Sequence, residues 1–132
     1  MPEINWLAVG AATLVAFVLG GLWYSPALFG KPWQRLTGLS DETLKGGNMA
    51  AIFGGSFVLA FIAAAMFAMF LGPRPSLELG LGAGFSAGLC WVATSFGING
   101  LFERKPLALI AINGGYHTVQ FTLTGLILAL LP

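Results

Sequence analysis

The chain reads as an all-α integral membrane protein, a bundle of four transmembrane helices arranged as two helical hairpins. Three observations predict this. Of its 132 residues, 57% are hydrophobic and only 8% charged, whereas soluble domains carry about 25% charged residues. Four stretches each reach the roughly 20 apolar residues needed to span a bilayer core about 30 Å thick. Short proline-bearing turns join the second stretch to the third and the third to the fourth. In hydrocarbon every backbone amide must be bonded within its own segment, so helix is the only form open to these stretches, and four strands are too few to close a barrel.

The first span is Ile4–Trp23. The residues before it, Met1-Pro2-Glu3, are acidic where a secretory signal is basic, so the span is expected to be retained. Ala8, Ala12, Ala16 and Gly20 fall at every fourth position and form a seam of small residues for close helix packing. Trp23 and Tyr24 suit a membrane interface, and Pro26 stops the helix. In the connection 24–48, Leu28, Phe29, Trp33 and Leu36 alternate with Lys31, Gln34 and Arg35, the pattern of a short segment lying on the membrane surface. Ser40-Asp41-Glu42-Thr43 reads as a capped helix start with acids in its first turn. The second span, Met49–Leu71, has its own seam at Ala60, Ala64, Ala68 and Gly72. The third, Leu79–Leu101, carries Gly80, Gly84 and Gly88, followed on the same face by Trp91, Ser95 and Asn99. The fourth, Leu107–Leu131, has Gly114, Thr118 and Gly125 on one face. One of these seams is expected to serve a homo-oligomer, with membrane lipids as the remaining partners.

The fourth span departs from the others. Asn113, His117, Gln120 and Thr124 are spaced so that a helix turning about 100° per residue gathers them within roughly 60° of arc. His117 is the only histidine. It lies ten residues beyond Leu107, about 15 Å into the core at 1.5 Å per residue. An ionisable side chain near the midplane marks a functional site by default, and imidazole is the least costly to hold there because burial favours its neutral form. Cys90, Trp91, Thr94 and Ser95 of the third span are expected at similar depth.

Several chemistries are disfavoured. One histidine without thiolate or carboxylate neighbours is too few ligands for a metal, and haem lacks a second axial ligand. A Ser-His-Asp triad lacks its acid, and Gly80-Leu81-Gly82-Ala83-Gly84 follows no strand, so it is no nucleotide loop. No cofactor is expected. A net charge of +1 gives no footprint for nucleic acid. The single Cys90 excludes an intramolecular disulfide. What remains is a binding or permeation site for a small or amphipathic molecule, or polar residues that only fasten helices together. Enzyme chemistry ranks third.

An internal repeat is also visible. Ala51-Ile52-Phe53-Gly54-Gly55 matches Ala111-Ile112-Asn113-Gly114-Gly115 at an offset of 60, which Phe61 and Phe121 keep. It suggests two parallel hairpins about a pseudo-two-fold axis. At that offset the first hairpin is apolar opposite the whole stripe, with Phe53, Phe57, Ala60 and Ala64.

Ile4-Asn5-Trp6-Leu7-Ala8 and the loop Leu22-Trp23-Tyr24-Ser25-Pro26-Ala27-Leu28-Phe29-Gly30-Lys31-Pro32-Trp33 resemble the small membrane family catalogued as domain of unknown function 1761. Ile112-Asn113-Gly114-Gly115-Tyr116-His117 is similar to that family's Ile-Asn-Ala-Gly-Tyr-His element, departing at Gly114. The resemblance implies a four-span bundle with no established activity. It directs attention to the Trp23–Trp33 loop and the Asn113–His117 element; together with Gln120 of the polar stripe, His117, Asn113 and Tyr116 are the expected ligand-binding residues, with Trp23, Tyr24 and Trp33 lining the mouth of the site.

Orientation follows from the basic residues. Lys31, Arg35, Lys45, Arg104 and Lys105 lie in the first and third connections, and only Arg74 lies in the second. The positive-inside rule puts loops 24–48 and 102–106 in the cytoplasm and both termini outside, as for a bacterial inner-membrane protein. In a Cys90→Ala background, a cysteine at position 76 should react with an impermeant reagent added to intact cells, and one at position 40 should not. The opposite pattern would reverse the orientation.

Overall fold

The computed structural model describes residues 3–131, and among them every regular element is helical. Helix α1 (Trp6–Trp23) starts where Asn5 accepts a hydrogen bond from the Ala8 amide, 3.1 Å away. It ends at the Ser25-Pro26 turn. Helix α2 (Gly30–Thr37) buries the flanks of Trp33 and Leu36, leaves Lys31 and Arg35 exposed, and stops at Gly38, whose φ of 77° suits glycine alone. Helix α3 (Asp41–Lys45) is one turn capped by Ser40. Helix α4 (Met49–Leu71) is capped by Asn48 and ends at Gly72. Helix α5 (Leu77–Phe102) is capped by Ser76, and helix α6 (Leu107–Leu130) follows Pro106.

Helices α1, α4 and α5 are each long and apolar enough to cross a membrane. Helix α6, at 24 residues, is just as long and contains no charged residue. Its polar run from Asn113 to Thr124 is what lowers its hydropathy. This helix, which carries the polar run, is also the central one. It packs against α5 along most of its length, against α1 on another side, and against α2 near its start.

Glycine makes the α5–α6 contact possible. A Cβ on Gly80 would collide with the Gly125 carbonyl oxygen, and one on Gly84 with that of Phe121. At Gly88 it would lie 2.6 Å from the Thr118 Cα, and at Gly114 it would lie 2.9 Å from the Ala93 Cβ. The two helices therefore touch through their backbones, the small-residue packing expected where no hydrophobic force drives helices together. The seams of α5 and α6 are thus occupied within the chain.

The residues Trp91, Ser95 and Asn99 do not continue that seam. They are exposed on the outer face of α5. The reason is a π-helical segment, Ala87–Ala93, which inserts a residue into the turn and rotates everything after it. Past it, Ala93 and Gly100 face α6 instead. Wide π turns leave carbonyls poorly bonded, and here hydroxyls serve them. Thr94 donates to the carbonyls of Cys90 (2.7 Å) and Trp91 (3.0 Å), and Ser95 donates to that of Trp91 (2.6 Å).

The core lies toward the end remote from α2. There Ala8, Val9 and Ala12 of α1 meet Ala64, Phe67 and Ala68 of α4, Ala87 of α5 and Leu128 of α6. Toward the other end α4 leaves the bundle. All of its residues 49–59 are exposed, and its aromatic contacts there are edge-on, from Phe53 and Phe57 to Phe17.

The seam makes a contrast testable. Gly84→Ala should destabilise the protein by about 1–3 kcal/mol through overpacking. Gly82→Ala, whose Cβ would meet nothing within 4 Å, should stay within about 0.5 kcal/mol of wild type. Thermal unfolding in detergent, with both variants side by side, checks this.

Candidate functional site

The polar stripe of α6 divides into two parts. The first part fastens α6 to the end of α1. Trp23 Nε1 donates to the Ile112 carbonyl at 2.9 Å, and Tyr24 Oη donates to Asn113 Oδ1 at 2.9 Å. Tyr116 Oη returns the contact, donating to the Ala16 carbonyl at 2.8 Å. Two glycines make room for these rings. A Cβ at Gly20 would stand 3.3 Å from Tyr116 Oη, and one at Gly115 would stand 3.1 Å from the Trp23 indole. Trp33 of α2 packs edge-on against Tyr24, with centroids 5.8 Å apart. Trp23, Tyr24, Trp33, Asn113 and Tyr116 therefore form one knot of rings and hydrogen bonds. These rings hold two helices and a loop together.

Among the described residues, the second part makes its side-chain hydrogen bonds within α6 and none to another helix. His117 Nδ1 and Gln120 Oε1 are 2.6 Å apart, one turn along the same helix. Thr124 and Thr118 likewise return their hydroxyls to carbonyls four residues back, at 2.8 Å each. Gln120 and Thr124 are 6% and 3% exposed, whereas His117 is only half-buried. The His117 ring stacks nearly parallel on Phe96 of α5, with centroids 5.1 Å apart and 13° between planes. Tyr116 meets its edge at 4.8 Å. Among the described residues, no buried side-chain nitrogen or oxygen lacks a hydrogen-bond partner. The imidazole Nε2 and the Gln120 amide nitrogen bond nothing there, so neither is fully enclosed, although Gln120 as a whole is nearly so.

Phe96 was not singled out from the sequence. A regular helix after Gly88 would have put Trp91 and Ser95 toward α6, and only the π segment brings Phe96 round to the histidine. Of the residues expected at its depth, Cys90, Trp91, Thr94 and Ser95 face outward. Two grooves lie elsewhere. One of about 510 Å³ sits at the far end, between Glu3–Trp6, the 72–75 turn and Leu131. An open one of about 380 Å³ runs beside Lys31 and Arg35. Among the described residues, no three His, Cys, Asp or Glu side chains are grouped to hold a metal ion.

The fold defines an all-helical protein with three helices long and apolar enough to cross a membrane. Its residues 7–129 match the family described as Protein of unknown function (DUF1761), and the chain belongs to that family. The match covers both the Trp23–Trp33 loop and the 112–117 element. No curated protein and no solved structure gives a significant match. Within that element, Gly114 lies against Ala93 with no room for a Cβ unless α5 shifts.

The knot has a titration signature. Burial, and secondly the neighbouring Tyr116, push the Tyr24 hydroxyl from 10.0 up to about 12. A raised value in the folded state means that stability is fully present below pH 10 and is lost as pH climbs toward 12. Tyr24→Phe should weaken that alkaline loss and cost about 0.5–1.5 kcal/mol at neutral pH through the missing bond to Asn113. Thermal unfolding from pH 7 to 12 measures both effects.

Proposed function

We propose that α6 is a fourth membrane span and that the protein, without carrying out chemistry, binds or passes a small or amphipathic molecule at the His117–Gln120 pair. Helix α6 is wedged between α1 and α5 and is long enough to follow them across. A duplicated hairpin whose last helix gained polar residues accounts for the shared residues at offset 60. The basic loops 24–48 and 102–106 then face the cytoplasm of a bacterial cell, with α2 at the inner surface and the termini outside.

One observation carries the site. Polar side chains that merely fasten membrane helices bond to a neighbouring helix, but His117 and Gln120 bond to each other. Their other nitrogen atoms bond nothing among the described residues, and hydrocarbon would leave them unpaired at a cost on the order of 2–7 kcal/mol each for neutral groups. A bound polar molecule removes that cost. The contrary reading, a structural or assembly protein, draws support from the knot around Tyr24 and Asn113, so the two readings concern different residues.

His117→Phe separates them, since phenylalanine is what the first hairpin has at the matching position. The variant should remain folded in detergent, melting within about 1 kcal/mol of wild type. It should lose any small molecule that native mass spectrometry finds on the purified wild-type protein. Unfolding of the variant, or retention of the molecule, would leave the structural reading in place.

A further inference from the structure

The polarity of the His117–Gln120 pair restricts what it can hold. An amide oxygen only accepts, so with Gln120 Oε1 facing the ring at 2.6 Å, the proton lies on Nδ1. The neutral ring then keeps a lone pair on Nε2, and Gln120 keeps two amide hydrogens. Neither group is fully enclosed, as shown above. The site thus offers one acceptor and one donor group side by side.

Charge narrows the choice further. Residues 107–130 contain no Asp, Glu, Lys or Arg, and neither do 6–23, 49–71 or 79–102. An ion brought to this depth would find no counter-charge and would lose its hydration. Shape gives the third restriction. The imidazole is already flanked by Phe96 in stacked geometry and by Tyr116 edge-on, so a flat ring extends an existing aromatic row.

We propose that the pair recognises an uncharged, lipid-soluble ring compound through a hydroxyl group, the O–H donating to His117 Nε2 and an oxygen accepting from the Gln120 amide. Phenols and quinols are the chemical class that meets all three restrictions. This rests on the reading of the site given above, and the test keeps the two apart.

His117 is the only histidine, so protein labelled in histidine gives a single imidazole signal by NMR in detergent. Titration with 1-naphthol should shift that signal saturably. Titration with 1-methoxynaphthalene, which keeps the ring and the acceptor but cannot donate, should bind at least about tenfold more weakly, because the histidine lone pair is left unpaired. Gln120→Met should weaken 1-naphthol by a similar factor. Equal affinity for the two compounds overturns the hydroxyl-ring assignment and leaves a site in place. Absence of any saturable shift with either overturns the site as well. An unaltered affinity in Gln120→Met removes the amide from the recognition. The comparison of the two compounds uses wild-type protein, so a variant that fails to fold does not blunt it.

Discussion

Helices α5 and α6 meet through their backbones, because Gly80, Gly84 and Gly88 remove side chains from one surface and Gly114 and Gly125 remove them from the other. That closeness sets the positions of the remaining helices. With α5 held tightly on one side, α6 presents its other flank to α1. Its remaining arc carries the buried Gln120 and Thr124. Widening the contact by one methyl group would shift α5 along its whole length, since close-packed interiors transmit strain instead of absorbing it. The π segment belongs to the same constraint. It lets α5 keep small residues against α6 from Gly80 through Gly100 although their spacing in sequence slips by one residue.

The second fastening works by a different principle. Where α1 meets the first half of α6, large rings replace glycines as the contact, and three hydrogen bonds fix them. Trp23 and Tyr24 belong to the loop that carries the family resemblance, and Ile112, Asn113, Gly115 and Tyr116 belong to the other element that does so. The two conspicuous motifs of the sequence are each other's partners. That gives both a structural reason to be present. His117 and Gln120 are left with no such duty. His117 is packed between the rings of Phe96 and Tyr116.

Much of this was legible in the chain. The four long helices fall within two residues of the expected bounds at each end, because Asn48 and Ser76 cap, Gly72 and Pro106 punctuate, and apolar composition dictates helix between them. The seams of α1, α5 and α6 were readable from spacing, since small residues at every fourth position leave one face smooth. The bond between His117 and Gln120 follows from a separation of three residues on a helix. The outward rotation of Trp91, Ser95 and Asn99 was not readable. It depends on one extra residue in a turn, and a π turn has no distinguishing composition.

By itself the sequence determined helix number, helix ends and the polar stripe on one helix, because those depend on local spacing and on how many apolar residues follow one another. Only the tertiary structure decided which stripe residues are engaged. Asn113 and His117 lie one turn apart and look alike in the sequence, yet one accepts a hydroxyl from Tyr24 and the other stacks on Phe96. Their different fates come from partners 89 residues and roughly 20 residues away along the chain. The distance of each partner is set by helix packing, which no local pattern encodes.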